Sequence, residues 1–182
     1  LTMEHFGLKK IDREHTRYFV GEGARKFVER SLIYNGDKEL KLANEAYKVY
    51  DEIFARDCLK DVKPYDGIME LLSDLKNLDI KTVVLSNKSQ SGVEKNIHTI
   101  IGEGVFDFIY GEREGIPKKP DPTALNLIIK ELGFSKDEIL YVGDTATDMK
   151  TALGAGVTSI GVLWGFRDEN ELRENKADYI VK

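Results

Sequence analysis

The period of the apolar positions changes near Pro64. Before it, Phe27, Val28 and Leu32, then Leu42, Ala46, Val49, Ile53 and Phe54, recur at helical spacing with no strand pattern between them, so residues 1–62 read as wholly helical. "PYDG" at residues 64–67 breaks the chain, with Asp66 placed to cap a helix whose apolar face is Ile68, Leu71, Leu72, Leu75 and Leu78. Strands and helices then alternate. "KTVVLSNK" reads as a buried strand, "SGVEKNIHTII" as a helix, "FDFIYG" as a strand and "DPTALNLIIKELG" as a helix closed by Gly133. "ILYVGD" and "TSIGVLWG" read as two further strands, with a helix between them that ends in Gly154 and Gly156. The alternation predicts an α/β core with a doubly wound parallel sheet over residues 63–182, preceded by a helical subdomain over residues 1–62.

Three polar signals follow strands of that sheet, at the carboxyl ends where open α/β sheets bind ligands. Ser86 and Asn87 end the first strand, where a hydroxyl and the following amides suit an anion as well as they suit a polar turn. Lys118 and Lys119 stand before Pro120 and Pro122, which fix the loop ahead of the next helix; a lysine pair there is either solvated or aimed at a ligand. Asp144 ends a strand and Asp148 lies in the first turn behind it. The two carboxylates either close a strand and complement a helix dipole, or supply the one or two oxygens that Mg²⁺ takes from protein beside substrate phosphate. Taken together, a hydroxyl, a lysine and two carboxylates could hold a phosphate and a metal.

Composition narrows the classes. With 182 residues, 41% hydrophobic and 32% charged, the chain suits one globular domain plus a subdomain. A net charge of -5 and the absence of a basic block exclude an ordinary nucleic-acid or membrane-surface binder. The single cysteine, Cys58, permits no internal disulfide and no cysteine cluster for zinc, which makes a cytoplasmic location the expectation.

"VVLSNK", "KKPDP" and "YVGDTATDMKTALGAG" resemble the second, third and fourth motifs of the haloacid dehalogenase-like hydrolase superfamily. The resemblance implies that Ser86 binds a transferring phosphoryl group with the Asn87 amide, that Lys119 neutralises it, and that Asp144 ligates Mg²⁺ while Asp148 supports the metal shell. Those roles suit phosphoryl transfer, which is catalysed mainly by positioning and charge stabilisation. The acid pair favours a phosphohydrolase over the metal-free dehalogenases of the superfamily. "YFVGEGARKFVERSL" resembles the cap segment of phosphoglycolate phosphatases, and "LWGFRDENELRENKADYIV" resembles their carboxy-terminal segment. By that likeness the turn of Gly21, Glu22 and Gly23 faces the active site and Arg25 is placed to meet a substrate carboxylate; a helix-start glycine pair and a solvent-facing arginine account for the same residues. His5, His15 and His98 match no motif of the family and read as surface or structural.

One departure stands out. The superfamily carries an amino-terminal strand ending in Asp-x-Asp, whose first aspartate is the nucleophile, and no Asp-x-Asp occurs in this chain. The resemblance places that strand at the centre of the sheet, between those ending at Ser86 and Asp144. About 20 residues, one strand and most of a helix, are therefore expected outside the 182, and the chain alone is expected to be inactive. The resulting expectation is a Mg²⁺-dependent phosphatase of a small phosphorylated metabolite such as 2-phosphoglycolate, monomeric or homodimeric. A sugar-phosphate phosphatase, a pyrophosphatase, a phosphomutase and an inactive binding module are the alternatives.

Overall fold

Helices α1 (Thr2–His5), α2 (Arg13–Phe19), α3 (Ala24–Tyr34) and α4 (Ala43–Asp57) fill the first 62 residues without a strand, as the helical spacing predicts. The structure, a computed structural model, describes residues 1–182. Contacts divide it into two units, each drawing on both sides of Pro64: Leu1–Asp12 with Gly23–Arg113, and Arg13–Glu22 with Glu114–Lys182.

In the first unit, Val28 and Leu32 of α3 pack with Met3, Ala43 and Ala46, all buried, and Phe6, Leu8, Ile11 and Leu40 close round them. Tyr50 on α4 lies between Phe27 and Phe54, at centroid distances of 5.8 and 5.6 Å, and burial pushes its phenol up to about 12. α5 (Ile68–Asn77) follows. Its N-cap is Gly67 in the left-handed conformation, φ +82°, with no side-chain cap, so Asp66 does not cap it as the sequence suggests. β1 (Val83–Ser89), α6 (Gln90–Ile100) and β2 (Phe108–Glu112) complete the unit. β1 pairs in parallel with β2 from Val83↔Phe108 to Leu85↔Tyr110, and the register breaks before Ser89. Ser89 then caps α6 by accepting from the Gly92 amide.

The second unit holds α2 with α7 (Thr123–Leu132), β3 (Leu140–Gly143), α8 (Ala146–Ala155), β4 (Thr158–Val162), α9 (Glu169–Glu174) and β5 (Tyr179–Val181). β3, β4 and β5 form a parallel sheet in that order. α7 packs on α8, and α8 on β3, β4 and α9, burying Leu125, Ile128, Met149 and Ala152, together with Leu172 of α9. All five strands of the chain pair in parallel, as the alternation predicts, in two sheets, β1-β2 and β3-β4-β5; β1 and β3 do not pair with each other, as the absence of the strand expected between them implies. α9 and β5 were absent from the elements that the hydrophobic pattern predicts.

Candidate active site

The turn from β3 into α8 builds the densest polar cluster of the second unit. Thr145 is the N-cap of α8: its Oγ1 accepts from the Asp148 amide, while Asp148 Oδ2 accepts from Thr145 Oγ1 at 2.6 Å and from Thr145 N at 3.2 Å. This reciprocal capping box fixes the Asp148 rotamer. Gly143 makes the close approach possible, since a Cβ there would stand 2.2 Å from Asp148 Cβ.

Lys119 reaches the other oxygen of Asp148. Its Nζ lies 2.8 Å from Asp148 Oδ1, with side-chain exposures of 11% and 10%, and Tyr141 Oη donates to the same oxygen at 3.4 Å. Burial would neutralise Lys119, but the Asp148 carboxylate more than reverses this and raises its pKa. Burial also works against the charge on Asp148, and Lys119 together with the Thr145 bonds holds that carboxyl below its ordinary value. Burial pushes the Tyr141 phenol up to about 12, leaving it a neutral donor. Lys119 therefore keeps its charge inside the protein.

Asp144 has a different environment. Desolvation raises its pKa, only partly offset by the Phe166 amide, which donates to Oδ2 at 2.7 Å; the Asp148 charge raises it further and Lys119 lowers it. Gly165 lets that loop close on the carboxylate, because a Cβ there would stand 2.2 Å from Asp144 Oδ2. No group of three His, Cys, Asp or Glu side chains is gathered to hold a metal. The two aspartates nonetheless fit Mg²⁺, which commonly takes one or two carboxylates and fills its shell with water and substrate oxygen. Asp148 has protein donors on both oxygens and suits a supporting role, whereas Asp144 is a desolvated carboxylate whose charge a cation would relieve.

The remaining candidates fall in different places. Ser86 and Asn87 belong to the first unit, and Lys119, Asp144 and Asp148 to the second. Ser86 Oγ accepts from the Lys88 amide at 3.2 Å, in the stretch where the β1 register breaks, and Asn87 is buried. They lie among the last residues of β1, where the sequence places them. Gly21, at φ +125°, stands beside Thr145: a Cβ on it would lie 3.9 Å from Thr145 Cγ2. Glu22 is exposed, and Gly23 is the N-cap of α3 at φ +90°. Arg25 lies on the surface of its own unit, donating to Asn44 Oδ1 at 2.8 Å and paired with Glu29 at 3.4 Å.

A family model described as "Haloacid dehalogenase-like hydrolase" matches residues 1–162. The chain belongs to the haloacid dehalogenase-like hydrolase family. It is 28% identical over 165 residues to a phosphoglycolate phosphatase of Aquifex aeolicus, covering 91% of this chain and 75% of that protein. A phosphoglycolate phosphatase of Neisseria gonorrhoeae is 27% identical over 175 residues, with 95% and 74% covered. Among solved structures, one from Lactobacillus delbrueckii subsp. bulgaricus, described as a candidate phosphoglycolate phosphatase, superposes with a TM-score of 0.92 at 28% identity, covering all of this chain and 84% of the other. A haloacid dehalogenase-like hydrolase from Bacteroides fragilis superposes with a TM-score of 0.83 at 23% identity and supports the same fold.

Tyr141, Thr145, Phe166 and Arg167 escape the sequence reading. Thr145 was detectable, because Thr-x-x-Asp ahead of an apolar helix face is a capping signal. Tyr141 sits inside an apolar strand and reads as core, and the Phe166 backbone amide carries no side-chain signature at all.

Proposed function

We propose that this family member is a Mg²⁺-dependent phosphatase acting on a small phosphomonoester of the 2-phosphoglycolate type. The observation that carries the reading is the charged Lys119–Asp148 pair buried beside Asp144 at the carboxyl end of a parallel strand. A lysine kept cationic by a buried carboxylate offers fixed positive charge to a phosphoryl group without reorganisation. Mg²⁺ held by Asp144, with Asp148 in support, would supply further charge neutralisation at the phosphate oxygens. Ser86 and the Asn87 amide serve as hydrogen-bond donors to the phosphoryl group. By the likeness to phosphoglycolate phosphatase caps, the turn of Gly21, Glu22 and Gly23 is given the substrate-facing role, and Arg25 that of meeting a substrate carboxylate. The helices of residues 1–62 act as the cap. No Asp-x-Asp pair occurs within residues 1–182, so the role of attacking carboxylate is given to none of them. The relatives named phosphoglycolate phosphatases support the substrate class.

The test is phosphate release by the natural protein from a panel of phosphomonoesters, with and without Mg²⁺. Turnover of 2-phosphoglycolate that requires Mg²⁺ is the expected outcome. Full activity in chelator, or a clear preference for pyrophosphate or for isomerising a sugar phosphate, would overturn it.

A further inference from the structure

The segment Arg13–Glu22, which runs through α2 into the Gly21 turn, is fastened to the loop of residues 163–168 by two arginines, of which Arg167 makes most of the bonds. Arg167 donates from Nη1 to the Arg17 carbonyl and from Nη2 to the carbonyls of Tyr18 and Val20, at 3.1 and 3.0 Å for the last two. Its guanidinium also stands 5.5 Å from the Tyr18 ring centroid. Arg17 returns a bond from Nη2 to the Gly165 carbonyl at 2.9 Å. These three acceptors are carbonyls left over where α2 ends, the place where a cation is most favourable.

The same loop is tied to the cluster at Asp144. The Phe166 amide donates to Asp144 Oδ2. Arg167 itself is 9% exposed at its side chain and pairs with Glu171 at 3.1 Å. Glu171 Oε1 accepts from the Ala146 amide at 3.0 Å, two residues beyond Asp144. One buried guanidinium thus joins the end of α2, the start of α8 and the loop that contacts Asp144. Gly21, the residue after Val20, is left beside Thr145.

We propose that Arg167 is a positioning residue that latches the Val20–Glu22 turn against the Thr145 end of the site, and so sets the affinity for the phosphomonoester without taking part in the chemistry. The consequence for affinity rests on the phosphatase reading; the latch itself rests on geometry. A lysine could not replace it, because the three N–H groups of one ammonium cannot serve three carbonyls and a carboxylate at once.

Two measurements on the natural protein test this in Arg167→Lys and Arg167→Ala, the lysine variant keeping the charge should the alanine variant fold poorly. Amide hydrogen exchange at Gly21 and Glu22 should rise at least about tenfold, the scale expected on losing charge-assisted hydrogen bonds, while β3 and β4 amides keep their protection. KM for the phosphomonoester should rise about tenfold with kcat held within about twofold, the pattern of lost binding shared by ground and transition states. Unchanged exchange at Gly21 and Glu22 would overturn the latch. A fall in kcat at constant KM, matching a loss of folded protein, would reduce Arg167 to a structural role and overturn the proposal. Exchange needs no turnover, so inactivity of the unaltered protein would sink the phosphatase reading while exchange alone decided the latch.

Discussion

Lys119 Nζ and Asp148 Oδ1 lie 2.8 Å apart in the interior of the second unit, with a tyrosine hydroxyl on the same oxygen and a threonine hydroxyl on the other. The pair is built from a proline-flanked loop and the first turn of α8, so neither partner can follow the other if one is removed. Asp148→Asn should therefore destabilise the protein by about 3–5 kcal/mol, because it strands a buried ammonium. A double substitution, Lys119→Met with Asp148→Leu, should cost clearly less. Urea unfolding of the three variants checks this, and equal losses in all of them would contradict it.

The pH dependence of that pair follows from its signs. Asp148 has a lowered pKa, so its contribution is complete above the unfolded aspartate value of about 4 and is lost as pH falls through the folded value. Lys119 has a raised pKa, so its contribution is complete below about 10.4 and is lost as pH rises through the folded value. Chemical denaturation across pH should show the difference between the native protein and the Lys119→Met, Asp148→Leu double variant holding steady between those limits and shrinking outside them. A difference that drifts around neutral pH would mean the pair is not ionised as described.

Mg²⁺ should raise the melting temperature of the native protein, since a cation relieves the desolvated Asp144 carboxylate. At a hundredfold excess over its dissociation constant the gain is about 2.7 kcal/mol. Asp144→Asn should abolish both this shift and turnover. An undiminished Mg²⁺ shift in that variant would place the cation elsewhere.

Gly143→Ala tests the geometry behind Asp148. A methyl at that position would stand 2.2 Å from Asp148 Cβ, so the turn or the helix must move. Stability should fall by about 1–3 kcal/mol. Calorimetry reads this directly, and a neutral substitution would show that β3 and α8 are less tightly apposed than described.

Much of this is legible in the amino-acid sequence. The run Ile139–Val142 and the two aspartates behind it place a strand, a turn and a helix start, because β propensity and capping are local; the burial that the apolar run suggests holds only for Tyr141, with Leu140 and Val142 exposed. Lys119 was singled out from its neighbour Lys118 by the family resemblance alone, since nothing in the loop's own composition says which of the two turns inward. The partition of the strands into two sheets is implied by the family resemblance alone, since hydrophobic period is silent on long-range pairing. β5 and α9 lie in a polar carboxy-terminal stretch, where Asp168 caps through the Glu171 amide and Asp178 holds the Ser159 amide, contacts with little hydrophobic signature. Arg167 was invisible for a related reason: its partners are backbone carbonyls, which every sequence has.

If Lys119 supplies the charge for phosphoryl transfer from a small phosphomonoester, steady-state phosphate release from 2-phosphoglycolate in Mg²⁺ will separate the natural protein and its Lys118→Ala variant from Lys119→Ala. Lys119→Ala should lower turnover at least about a hundredfold, the scale of removing one preorganised stabilising donor, with Lys118→Ala close to the unaltered protein. Equal losses at the two lysines, or a Lys119→Ala variant that turns over at the native rate, would contradict that role.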